Sequence, residues 1–177
     1  MRKLTTTILP IFLLTLSALA QQDKSKRPSP PASTQCTLSN GKTISVDYSS
    51  PRLKGRTVGK EVAPYGEVWR TGANEATSFV TTANLTVDGH DVPAGSYTLF
   101  TLPTADKWTL IINKHTGEWG IPYHYESEEL ARVPMQVSST PAPVENFTIS
   151  FEQGGDKCTL QLSWGNTQAS ATFAEKK

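Results

Sequence analysis

The stretch Pro64–Phe79, PYGEVWRTGANEATSF, gathers the side chains of this chain best suited to chemistry. It sets Glu67, Trp69, Arg70, Asn74 and Glu75 around a turn at Gly72. Arg70 offers a planar fork that matches a carboxylate, a phosphate or a sugar hydroxyl. Asn74 and Glu75 would fix the orientation of such a ligand, and Trp69 or Tyr65 would supply a flat wall. The same residues admit a structural reading, an Arg70–Glu75 ion pair across the turn with Trp69 in the core. Arg70 needs a partner under either reading, because breaking a buried pair on one side costs about 3–5 kcal/mol. Both readings stay open at this level.

Other chemistry finds thinner support. Glu67 and Glu75 would serve as a hydrolytic acid/base pair only if they faced each other across about 5–10 Å. If EVWRTG ends a strand, Glu67, Trp69 and Thr71 face one way and Val68 and Arg70 the other, which does not demand that geometry. There is no GxSxG elbow for a serine nucleophile. The histidines are His90, His115 and His124. His90 sits on a tight turn, while His115 and His124 bracket Trp119 near Glu118. No HExxH or Cys/His spacing appears, so no metal and no cofactor is expected. Trp119, Tyr123 and Tyr125 form an aromatic loop that would stack on a ligand or cover one end of the core.

These groups must be held by a scaffold, and the chain's first residues bear on where it works. Met1-Arg2-Lys3 precedes the apolar stretch Ile8–Ala20, which ends in Ala18-Leu19-Ala20, the small-x-small pattern of a signal peptidase site. The apolar run is short and interrupted by Thr15 and Ser17, unlike a membrane span of about 20 apolar residues. Residues 1–20 read as a cleaved signal, with Gln21 as the mature start and no stable membrane span afterwards. Removing Arg2 and Lys3 takes the formal net charge from +1 to −1. So neutral a chain lacks the basic footprint of a nucleic-acid binder. Residues 21–34 are polar and rich in Pro and Ser, as in a flexible leader. Residues 35–175 then suit one domain with one core. Export favours a disulfide between the two cysteines, Cys36 and Cys158.

Beyond Cys36 the apolar period is two. Ile44, Val46 and Tyr48 share one face of their segment, as do Phe147, Ile149 and Phe151, and Cys158, Leu160, Leu162 and Trp164. SYTLFTL and KWTLIIN are apolar and β-branched, with a turn at PTAD between them. Asp88-Gly89 is a favoured two-residue hairpin turn, GGD at Gly154–Asp156 joins a second hairpin, and Gly165-Asn166 a third. The helical signal is confined to YESEELAR, Tyr125–Arg132, with Ser127 as N-cap. Pro134 suggests an edge strand. Strands every eight to twelve residues predict an all-β, antiparallel β-sandwich, jelly-roll-like or barrel-like, with at most one or two short helical turns.

Several blocks recur together in one known family. They are Gly55-Arg56, PYGEVWRTGANEAT from Pro64, PAGSYTLFTLP from Pro93, Trp108 followed by IINK, EWG from Glu118, ENFTISFE from Glu145, and LSW near the end. Over roughly residues 35–175 the chain resembles domain of unknown function 2911, a family of exported bacterial proteins. The resemblance implies export, to the periplasm or beyond, and a compact domain, but no established reaction. The leading expectation is a non-catalytic domain that binds a small ligand, glycan or partner protein. Its site would be the loop face carrying Arg56, Tyr65, Trp69, Arg70, Asn74, Glu75 and Trp119. The alternatives are a hydrolase using Glu67 or Glu75, and a purely structural envelope domain.

Overall fold

The computed structural model describes residues 23–177. The expected signal segment, residues 1–20, lies outside the described residues. Nine strands follow in order: β1 (Pro31–Thr37), β2 (Thr43–Ser49), β3 (Thr77–Thr81), β4 (Leu85–Val87), β5 (His90–Val92), β6 (Gly95–Pro103), β7 (Trp108–Asn113), β8 (Glu129–Gly154) and β9 (Lys157–Glu175). All pair antiparallel in one open sheet of order β1-β2-β3-β6-β7-β8-β9-β4-β5. Among the described residues the helical structure is two single 3-10 turns, Lys24–Lys26 and Glu126–Glu128. The fold is all-β, as the spacing of the apolar segments implies.

Strand β8 turns this ladder into two facing layers. Its 26 residues would run about 85 Å if straight, against roughly 40 Å for the diameter of a domain this size. It therefore bends, with register breaks between Ser139 and Val144 and between Val144 and Thr148. Up to Met135 it pairs with β7, and from Gln136 it pairs with β9. Pro134 falls opposite Thr109 where β8 has a neighbour on one side, so its missing N–H leaves no ladder bond unmade. The local edge is real although β8 lies within the sheet.

The core fills the space between the layers. Phe79 of β3 meets Phe173 of β9 with ring centroids 5.1 Å apart. Tyr48 of β2 accepts a 3.0 Å hydrogen bond at its hydroxyl from the Ile149 N–H of β8. Cys36 and Cys158, both buried, join β1 to β9 as a disulfide across 122 residues of chain. Closing so long a loop stabilises by about 5 kcal/mol in the chain-entropy picture.

The hairpins at Asp88-Gly89 and Gly155-Asp156 form as the turn residues dictate; φ is +46° at Asp88 and +78° at Gly89. Four local expectations are corrected. Gly165-Asn166 does not close a hairpin: β9 runs through it, with Gly165 at φ +59° absorbing a bend opposite Val144. EVWRTG is not a strand, because its pairing is limited to one bridge between Trp69 and Thr101. The turn near Ser127 is capped at Tyr125, with no side-chain bond, and the helix goes no further because β8 starts at Glu129. Strand β1 begins at Pro31, inside the segment expected to be a polar leader, because its backbone pairs with β2 from Pro31↔Ser49 onward.

Candidate functional site

The segment between β2 and β3 lies across one end of the two layers, and Trp69 anchors it. Backbone bonds of 2.8 and 2.9 Å tie Trp69 to Thr101 of β6. The indole stacks on Trp164 of β9 at 5.4 Å and meets Phe147 and Trp108 edge-on. Its Nε1–H donates to the Gly72 carbonyl at 2.9 Å. Apolar burial of this kind fixes the register of everything that follows in the loop.

The chain then doubles back within eight residues. Thr77 donates from its N–H to the Arg70 carbonyl and from its hydroxyl to the Thr71 carbonyl. This turn places Thr71 at φ +54° and Asn74 at φ +58°. Asn tolerates that region, whereas a β-branched threonine is strained there by about 1–3 kcal/mol. Thr71 is fully buried and held by its neighbours, so the packing around it pays for the strain. Gly72 fits closely as well: a Cβ there would lie 3.0 Å from both the Ser49 carbonyl and the Thr77 hydroxyl, tighter than an ordinary contact.

The turn sends Arg70 and Glu75 in different directions. Glu75 is chelated by Arg27, at 3.0 and 2.8 Å, and by Lys24 at 3.2 Å. The Arg27 hydrogen bonds hold its carboxyl down at about 2. The expected Arg70–Glu75 ion pair is therefore absent. The left-handed Thr71 and Asn74 lie between these positions and turn Glu75 toward the segment ahead of β1. Arg70 instead uses its Nη1 on two carbonyls, those of Asn74 and Trp119, the second at 2.9 Å. The Trp119 ring lies over the guanidinium at 4.8 Å. No carboxylate reaches Arg70 among the described residues. Burial pulls its pKa below the ordinary arginine value, yet a guanidinium keeps its proton at neutral pH.

Arg70 lines a pocket of about 360 Å³. Trp69 and Trp164 contribute aromatic surface, Val62, Ala63, Pro64 and Ile121 the apolar walls, and Arg56, Glu61, Glu67 and Asn74 the polar ones. Asn74 is fixed by donating to the Ser29 carbonyl at 3.0 Å. Arg56 is fixed by donating to the Leu53 and Arg52 carbonyls. Glu61 accepts the Thr57 N–H, which holds its carboxyl below the usual range.

Of the sequence-expected residues, Arg56, Trp69, Arg70 and Asn74 meet at this pocket, and Trp119 covers the Arg70 face beside it. Tyr65 does not line it; its ring packs over Gly59, where a Cβ would fall 2.2 Å from the ring. Glu75 belongs to a separate depression with Lys24, Asp47 and Tyr48. The two carboxylates of the hydrolytic reading, Glu67 and Glu75, thus face different cavities. Ser29, Glu61, Ile121 and Trp164 were not foreseen, since they come from four separate segments; only the unusual Trp164 in LSW offered a signal.

The aromatic loop that follows Trp119 is braced by its own network. Buried Asn113 donates to the Tyr125 carbonyl and the Tyr123 hydroxyl and accepts from the His115 N–H. Tyr123 in turn donates to Glu129 at 2.6 Å, and Arg132 clamps that carboxylate twice at 2.7 Å. Burial and the Glu129 bond push the Tyr123 phenol well above its usual range. His115 stacks on Tyr125 and contacts Glu128 at 3.1 Å. Among the described residues no three His, Cys, Asp or Glu side chains converge as a metal would require. Glu118 is the odd member: both its carboxylate oxygens are buried and no donor among the described residues reaches them.

This arrangement is carried by residues of PYGEVWRTGANEAT and EWG, and the family's profile matches residues 29–173. The chain belongs to the DUF2911 family. That family is described as a protein of unknown function. No curated protein and no solved structure matches this DUF2911 chain. No helix among its described residues is long and apolar enough to cross a membrane.

Proposed function

We propose that this protein is an exported binding domain whose pocket at Arg70 holds a small organic ligand. Export is supported by the basic start, apolar run and Ala18-Leu19-Ala20 site, and by the disulfide between Cys36 and Cys158. The observation that carries the binding reading is Arg70 itself. Its guanidinium is pinned by carbonyls and an indole, meets no carboxylate among the described residues, and belongs to a residue that lines a pocket with apolar walls. A volume of about 360 Å³ is at the lower end of the range for small-molecule sites. Glu75 stands outside the site, and catalysis by a Glu67–Glu75 pair has no geometric support.

The test is a fragment screen read by the indole N–H resonances of the mature chain. Trp69 and Trp164 line the pocket, whereas Trp108 is buried away from it. Fragments that bind there shift Trp69 and Trp164 and lose that effect in Arg70→Gln. A screen whose hits leave both indoles unmoved would overturn the proposal.

A further inference from the structure

The geometry points to a small monocarboxylate with an apolar body as the ligand of this pocket, an inference that rests on the binding reading above. A guanidinium presents five N–H groups, in two forks usable by a planar oxyanion. The end-on fork joins Nη1 to Nη2, and the side-on fork joins Nε to Nη2. Both Nη1 hydrogens of Arg70 are taken up, by the Asn74 and Trp119 carbonyls. That removes the end-on fork. Nε and Nη2 meet no protein acceptor among the described residues, and neither is a buried atom lacking a partner. The side-on fork is therefore free and open to solvent, on a side chain whose pose is fixed by two carbonyls and the Trp119 ring. Two parallel N–H donors at fixed spacing match the two oxygens of a carboxylate.

The rest of the wall selects among oxyanions. Arg56 and Arg70 are balanced by Glu61 and Glu67, and Glu61 is kept ionised by its Thr57 contact. A site with no net charge accommodates one negative charge. Once Arg70 pairs with that charge, the remaining Arg56, Glu61 and Glu67 carry one net negative charge and oppose the second charge of a phosphate monoester. Beyond the fork the surface turns apolar, with Val62, Ala63, Pro64 and Ile121 beside the Trp69 and Trp164 rings. The carboxylate docks on Arg70 and a hydrocarbon or aromatic body fills the remainder.

The experiment titrates the mature chain with matched pairs, phenylacetate against phenylacetamide and hexanoate against hexanamide, with phenyl phosphate as a third arm. Indole N–H shifts of Trp69 and Trp164 are the readout. The expected result is that each carboxylate binds at least tenfold tighter than its amide and tighter than phenyl phosphate. Arg70→Lys, which keeps the charge and loses the fork, weakens carboxylates about tenfold and leaves amides unchanged. Lys157→Gln, on the distant β8–β9 turn, changes neither. Equal binding of acids and amides at the pocket indoles overturns the carboxylate assignment and leaves the ligand-pocket reading standing. Tighter binding of phenyl phosphate overturns the monocarboxylate class. Failure of every probe to move Trp69 or Trp164 overturns both readings.

Discussion

Glu75 should couple energetically to Arg27 and not to Arg70. The perturbation is a pair of double-mutant cycles, Arg27→Ala with Glu75→Ala and Arg70→Ala with Glu75→Ala. The Arg27–Glu75 contact is two-pronged at 2.8 and 3.0 Å, with the arginine side chain 22% and the glutamate 45% exposed. Exposure of that order limits an ion pair to about 0.2–1 kcal/mol, and because Nη1 alone straddles both oxygens the expected coupling is about 0.5. For Arg70 and Glu75 the expected coupling is within about 0.3 kcal/mol of zero, since they share no partner. Arg70→Ala alone should cost about 1–3 kcal/mol through the lost carbonyl bonds and the Trp119 stack. The assay is urea unfolding of the wild type and variants at pH 7 and low salt. The folded-state pKa of Glu75, about 2, lies below its ordinary value of 4.5. Its contribution is therefore complete above about pH 4.5 and fades as pH falls through 2, where half of the Glu75 carboxyls are still ionised, so the Arg27 coupling should be clearly smaller at pH 2 than at pH 7 and vanish only below pH 2. An Arg70–Glu75 coupling above about 0.5 kcal/mol, or none between Arg27 and Glu75, would refute this account of the turn.

Three further outcomes are expected. Replacing Cys36 and Cys158 together by Ala should cost about 4–5 kcal/mol in urea unfolding, and a loss under 1 would mean the long loop is closed by other contacts. Gly120→Ala should cost about 2–4 kcal/mol, because Gly120 has φ +86° and a Cβ there lies 2.9 Å from Ala76 and 3.1 Å from Phe100; a neutral melting temperature would contradict that packing. Glu118→Met should leave stability unchanged or raise it by up to about 2 kcal/mol, since it removes buried oxygens that no donor among the described residues satisfies; a loss above 1 kcal/mol would show that Glu118 has a stabilising partner.

Much of the scaffold was legible because it follows short-range rules. The period-two apolar pattern of Ile44, Val46 and Tyr48 is the buried face of β2, and Asp88-Gly89 turns because both residues accept positive φ. The reading failed where distant chain decides. Gly165-Asn166 has the chemistry of a turn, but β8 stays alongside on both sides of it and keeps β9 running. Arg70 and Glu75 are five residues apart and looked like partners. The left-handed Thr71 and Asn74 separate them, and the true partner of Glu75 lies 48 residues back at Arg27. Positive φ at a threonine has no local sequence signal, because tertiary packing imposes it. The pocket was half legible for the same reason: Trp69, Arg70 and Asn74 share one segment, whereas Ser29, Ile121 and Trp164 arrive from elsewhere.

The central claim, that Arg70 presents a free fork to a ligand, is tested most directly by a crystal structure of the protein soaked with phenylacetate. The account expects the carboxylate on the Nε and Nη2 edge of Arg70 at about 2.7–2.9 Å, with the ring against Trp69 and Ile121. Phenylacetate bound only elsewhere, or Nε and Nη2 already occupied by a protein carbonyl or carboxylate, would contradict it.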